Sequence, residues 1–255
     1  VLAVLVAVPN PGYRVSASTG GVFSFTAPFY GSMGGKPLNE PVVGMAADSS
    51  TGGYWEVAST GGVFSFTAPF YGSMGGKPLN APIVGMAATL TGGGYWLVAS
   101  DGGIFSFGNA PFDGSMGGQP LNKPIVGMAV DPTSGGYWLV ASTGGVFSFT
   151  APFDGSMGGQ PLNAPIVGMA PDPSGSGYWL VASTGGVFSF GAAAFHGSLG
   201  AEPLANPITS ITADPYSGGY WLLATDGAVI GFAAPSDGTA AGLVIADRAV
   251  AIVAG

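Results

Sequence analysis

The chain has 255 residues, 47 of them glycine and 21 proline, with no cysteine and a net charge of −8 from thirteen acidic and five basic residues. So few cations exclude a nucleic-acid partner, whose phosphates need Lys and Arg, and argue against an anionic membrane surface. The missing cysteines exclude disulfides and thiolate metal sites, while 47% hydrophobic and 7% charged residues call for a large dry core, not for disorder.

The chain opens on Val1 to Val8, followed by Pro9, its longest unbroken apolar run. The run is too short for a bilayer span, which needs about 20 residues. It reads as the remnant of a signal-peptide core or as a strand. From there a single pattern repeats. A Tyr-Trp pair stands at Tyr54-Trp55, Tyr95-Trp96, Tyr137-Trp138, Tyr178-Trp179 and Tyr220-Trp221, with Tyr13-Arg14 as a degenerate first copy, in steps of 41 or 42 residues. Units therefore fall at about 1–40, 41–81, 82–123, 124–164, 165–206 and 207–247 of one domain, 1–255, with 248–255 left over.

Each unit contains four stretches. In the unit beginning at Pro124 they are PIVGMAV, YWLVAS, VFSFTAP and FDGSM, separated by DPTSGG, by TGG and by a last loop, GGQPLNA. The stretches are short, rich in β-branched and aromatic residues, and bounded by Gly, Pro, Asp and Ser, which is the pattern of strands and hairpins. No apolar residues recur at helical spacing over a long window. Both faces of each stretch are apolar: Phe64 and Phe66 project one way, Val63 and Ser65 the other. The fold class is all-β, a β-propeller of six blades with four short antiparallel strands each, whose repeated side chains are wedges between equivalent blades. The rival architecture, a β-solenoid, usually has shorter repeats, and a two-sheet sandwich has no need of six near-copies.

The first stretch is present seven times. Full versions begin at Pro41, Pro82, Pro124, Pro165 and Pro207, Val1 to Val8 aligns as another, and Arg248–Gly255 as the last. Six blades need six. One terminal copy is expected to close the ring, leaving the other frayed, removed or donated to the sheet edge of another molecule, unless the boundary of the chain cuts through a longer protein. Arg14, in the place of Trp, is expected to mark the blade beside the closure.

The runs 131–149 and 101–115 resemble a repeat of secreted and cell-surface proteins of actinobacteria and related bacteria. The resemblance covers all six units and weakens from Pro235 onward. The strand order resembles that of Trp-Asp-repeat propellers. The resemblance implies an extracellular, non-catalytic module of the kind that accompanies cell-wall hydrolase, protease or other extracellular domains. It supplies no ligand and no site residues.

The residues offer little chemistry. His196 is the only histidine, and no Gly-x-Ser-x-Gly elbow exists. Metal-ligand spacings of His and Cys are absent, and the glycines precede strands, not phosphate-binding helices. The run 172–177, DPSGSG, lacks the further acidic ligands of a calcium loop and reads as a turn. The expectation is no enzyme, no cofactor and no metal; an enzyme would need carboxylates such as Asp113 and Asp154, which the repeat assigns to separate blades. The Trp series reads as blade packing.

Two places vary between otherwise matching units. One reads Tyr30, Tyr71, Asp113, Asp154, His196 and Asp237; the other reads Lys36, Lys77, Gln119, Gln160 and Glu202. Variation confined to one place per blade is expected on an exposed rim. The first series supplies the candidate rim contacts, since Tyr beside Asp, Asn and Gln binds sugars by stacking and hydrogen bonding. Two functions follow. One is a non-catalytic extracellular or cell-surface scaffold that self-associates through Val1 to Val8 or Arg248–Gly255. The other is a lectin-like module for glycans or cell-wall polymers.

Overall fold

The computed structural model describes residues 11–243 and 248–255. Among them are eighteen strands in six three-stranded antiparallel sheets and no helix. In chain order come β1 (Tyr13–Ala17) and β2 (Val22–Phe25), then β3 (Val42–Ala47), β4 (Tyr54–Ala58) and β5 (Val63–Phe66). Next are β6 (Ile83–Ala88), β7 (Gly94–Ala99) and β8 (Ile104–Gly108), then β9 (Ile125–Val130), β10 (Tyr137–Ala141) and β11 (Val146–Phe149). The last are β12 (Ile166–Pro171), β13 (Gly177–Ala182) and β14 (Val187–Gly191), β15 (Ile208–Ala213), β16 (Tyr220–Ala224) and β17 (Val229–Phe232), and finally β18 (Ala249–Ala254).

Each Tyr-Trp strand is the middle of its sheet, with the strand before it on one side and the strand after it on the other. The first strands pack side by side around a closed circle, β3 on β6, β9, β12, β15, β18 and back to β3. The fold is a six-bladed β-propeller, and these strands surround its central space, a cavity of about 420 Å³. In every blade the register of the first strand slips by one residue near its start, between Ile83 and Gly85 in β6 for example. The slip is a bulge, which bends the strand and turns the extra side chain inward. The bulged residues are Val43, Val84, Val126, Val167, Thr209 and Val250, and all six line the central space.

The seventh copy is resolved by β18. It pairs antiparallel with β1, from Tyr13 opposite Ala254 to Ala17 opposite Ala249, and completes the sheet of blade 1. Arg248–Gly255 therefore closes the ring and is not a free edge for donation. Val1 to Val8 lies outside the described residues. Arg14 stands on β1, in the closing blade.

The fourth stretch does not form a strand; the blades have three. Its path is set by a glycine, at 31, 72, 114, 155, 197 and 238, with φ between 125° and 141°, a region that L side chains rarely adopt. A Cβ on Gly72 would also lie 2.6 Å from the Phe107 ring of the next blade. The stretch is pinned to its own blade by a single bond per repeat, such as Met74 N to Gly61 O at 2.9 Å, in place of a ladder. The third strand stops where a residue turns left-handed: Thr26, Thr67, Gly108, Thr150, Gly191 and Ala233 have φ of 51° to 68°.

The core is six wedges. Five tryptophans and six tyrosines of the middle strands are at most 1% exposed. One wedge contains Trp96 and Val98 from one blade and Tyr137 and Leu139 from the next. Each buried aromatic removes roughly 150–250 Å² from water, worth about 4–6 kcal/mol at 25 cal/mol per Å².

Candidate functional site

The two polar atoms of each Tyr-Trp pair are spent on holding the ring together. The indole N–H of Trp138 donates to the carbonyl of Pro152 at 2.7 Å, and Trp55, Trp96, Trp179 and Trp221 do the same to Pro69, Pro111, Ala194 and Pro235. The tyrosine hydroxyl crosses to the preceding blade. Tyr137 donates to Gly114 O at 2.6 Å and accepts from Asp113 N at 3.1 Å. Tyr54, Tyr95, Tyr178 and Tyr220 donate to Gly31, Gly72, Gly155 and Gly197 in the same way, and Tyr13 to Gly238. Burial pushes these hydroxyls up, that of Tyr178 to about 12, so they stay protonated donors. The tryptophans are packing residues with no face left for a ligand.

The candidate rim residues Tyr30, Tyr71, Asp113, Asp154, His196 and Asp237 stand immediately before the glycines that accept these bonds. They are less exposed than the variability implied: Tyr30 is 39% exposed and the other five are half-buried. The Tyr71 and His196 side chains reach across to the next blade. Tyr71 Oη donates to Gly92 O at 3.1 Å, and His196 Nε2 lies 3.1 Å from Gly218 O. Both rings pack beside the tryptophan of their own blade and the tyrosine of the next. The position tolerates Tyr, Asp and His because its backbone is pinned by the neighbouring tyrosine while its side chain only lids the wedge. The second variable series, at 36, 77, 119, 160 and 202, is exposed.

The exposed aromatic is the preceding residue. Phe29, Phe70, Phe112, Phe153 and Phe195 are 57% to 63% exposed, one in each of five blades, and Ser236 takes the place in the sixth. They form a repeated apolar surface around the rim. The signal was present as a phenylalanine in five of six copies, but the same regularity marks the half-buried Phe64 and Phe105 series, and repetition alone does not separate a packed position from a displayed one. The acidic turns are self-contained. Asp131 accepts from the N–H and hydroxyl of both Thr133 and Ser134, at 2.6 to 3.1 Å. Asp172 Oδ1 accepts from Ser174 N at 3.1 Å, as in a plain turn. Asp113 and Asp154 each belong to the lid of a different wedge.

No protein-family model matches the sequence, and no curated protein matches it. Among solved structures, a chain from a crystal structure of a nidogen/laminin complex aligns with a TM-score of 0.63 at 12% identity, over 94% of this chain and 97% of that one. A structural-genomics protein of unknown function from Bacteroides thetaiotaomicron aligns with a TM-score of 0.52 at 15% identity, over 85% of this chain and 65% of that one. At such identities the likeness shows the fold, and the chain is identified by it as a repeat β-propeller.

Proposed function

We propose that the chain is a non-catalytic scaffold of the bacterial cell surface that assembles with further copies of itself by exchange of first strands. The observation that carries this reading is the occupancy of the slot beside β1. It is filled by β18, although the sequence has a second copy of the same strand, residues 1–8, directly before β1. One slot serves two copies of the same sequence, and exchange would have residues 1–8 of one ring take the place of β18 beside β1 of another. The extracellular location rests on the resemblance of the repeats to those of secreted and surface proteins. The absence of an enzymatic role rests on the spending of the Tyr, Trp and turn Asp groups on the ring itself. Light scattering after size exclusion, with negative-stain imaging, tests the assembly. Full-length chain forms dimers or filaments and a chain lacking residues 1–8 forms single rings of about 25 kDa. Single rings in both cases sink strand exchange.

A second reading has its own observation, the five displayed phenylalanines. Exposed aromatic faces at equivalent points around a ring suit a repeating glycan or cell-wall polymer, gripped weakly at each point and strongly in sum. Replacing Phe70, Phe112 and Phe153 by Ser, the residue of the sixth blade, then lowers retention on immobilised cell-wall polysaccharide more than additively. Equal retention of wild type and variant discards this reading.

A further inference from the structure

One wedge differs from the other five. Where Trp96 and Val98 meet Tyr137 and Leu139, or Trp179 and Val181 meet Tyr220 and Leu222, blade 1 presents Arg14 and Ser16 to Tyr54 and Glu56 of blade 2. Three apolar residues are replaced by polar ones at once, and Arg14, Ser16 and Glu56 are all 0–1% exposed. The replacements answer one another. Arg14 Nε donates to Pro28 O at 2.9 Å, the bond that the indole makes in the other blades. Its Nη2 donates to Gly52 O across the wedge at 3.1 Å, and the guanidinium lies over the rings of Tyr54 and Tyr30, 5.0 and 5.7 Å from their centroids. Ser16 Oγ donates to Glu56 Oε1 at 2.5 Å.

The set is incomplete in one respect. Arg14 Nη1 and Glu56 Oε2 are buried and have no hydrogen-bond partner, and no bond joins Arg14 to Glu56. An ionised Glu56 would therefore be a charge inside a largely apolar wedge, with the Ser16 hydroxyl and the Met33 backbone alone to compensate it, which is a costly arrangement. Burial is the largest influence on the Glu56 carboxyl and holds it up at about 7, against the opposing hydrogen bonds from Ser16 and the Met33 backbone. The charged and titratable groups about it are Arg14 on β1, Tyr54 on its own strand and Tyr30 at the rim. The strands β2, β3, β5 and β18 have none.

We propose that this wedge is the seam of the ring, a protonation-gated joint that holds blade 1 against blade 2 while Glu56 is neutral and loosens when Glu56 ionises. Blade 1 is also the blade that β18 closes, and β18 packs on β3 across the seam, so the joint lies beside the closure. The inference stands whether or not strands are exchanged between rings.

A carboxyl raised on folding binds its proton more tightly in the folded state. Its stabilising effect is complete below the unfolded Glu value of 4.5 and is lost as the pH rises to about 7. The test is thermal unfolding of the full chain between pH 5 and 8, for wild type, Glu56→Gln and the triple variant R14W/S16V/E56L, which rebuilds the wedge of the other blades. Across that range the wild-type Tm falls by roughly 5–10 °C relative to Glu56→Gln, and the triple variant behaves as Glu56→Gln does. Hydrogen exchange corrected for intrinsic rates locates the change: Tyr13–Ala17 and Tyr54–Ala58 lose protection at pH 8 before Tyr137–Ala141 does. Coincident pH profiles for wild type and Glu56→Gln overturn the proposal, and so does a uniform loss of protection around the ring. Should the triple variant not fold, Glu56→Gln alone decides.

Discussion

The wedge between blades 3 and 4 and the wedge between blades 1 and 2 occupy equivalent places in the same ring. The first is closed by Trp96, Val98, Tyr137 and Leu139, with each polar atom of its aromatics bonded to a backbone group. The second puts Arg14, Ser16 and Glu56 at the corresponding positions and leaves Arg14 Nη1 and Glu56 Oε2 unbonded. Both present a side-chain N–H to the same carbonyl of the rim segment, at Pro111 and at Pro28. That bond is what the architecture requires; the indole around it is one way to supply it. The rest of the indole contributes apolar area, which the guanidinium replaces only in part. Buried polar groups of this kind are commonly neutral or costly relative to an apolar replacement of the same volume, by about 1–4 kcal/mol, which is why the proposed gate is placed at this joint and not at the other five.

The largest effect is expected from removing the wedge itself. Trp138→Ala opens a cavity between blades and loses about 3–5 kcal/mol in urea unfolding. Arg14→Ala loses about 1–3 kcal/mol, chiefly through the unsatisfied carbonyls of Pro28 and Gly52. Equal losses would erase the distinction between the two wedges. Next is the acid limb. Burial alone would push the Asp131 carboxyl up, but hydrogen bonds from Ser134 and Thr133 outweigh it and hold the group below the ordinary range. A depressed carboxyl contributes stability above its unfolded value and loses it as the pH falls. Asp131→Asn therefore costs about 1–2 kcal/mol at pH 6 and little at pH 2, the opposite sense to Glu56. Tyr137→Phe removes the hydroxyl that joins Gly114 and Asp113 across the wedge and lowers stability by about 1–2 kcal/mol. The smallest change is a gain. Thr150 holds a φ of 60°, where blades 3 and 5 have Gly108 and Gly191. Thr150→Gly relieves the left-handed strain at some entropic cost and gains about 0.5 kcal/mol.

Much of this was legible in the repeat. The 41- to 42-residue step announced six equivalent units, and the two-sided apolar strands announced blades packed on both faces. The buried role of Trp138 followed from its place in the middle of such a strand. The fourth stretch, FDGSM, has the composition of a strand and forms none, because Gly155, with its φ of 128°, and the hydroxyl of Tyr178 in the next blade route the backbone away from a ladder. The rim hides its degree of exposure from the sequence for a related reason. Asp113 and His196 vary as surface residues do, yet they lid a wedge, and Phe112 and Phe195, regular as core residues are, face solvent. Ser16 and Glu56 are each an ordinary deviation in the repeat, and only their contact across the wedge joins them.

Sequence by itself determined the period, three of the strands in each blade, the wedges and the two candidates for ring closure, because local turn chemistry and side-chain alternation depend on neighbours a few residues away. Tertiary structure decided which candidate is used, since β18 meets β1 only when the ring curves back on itself. It also decided which repeated residues are buried and which are displayed. And it joined Arg14, Ser16 and Glu56 into one polar seam, because residues some 40 positions apart become partners only when consecutive blades pack face to face.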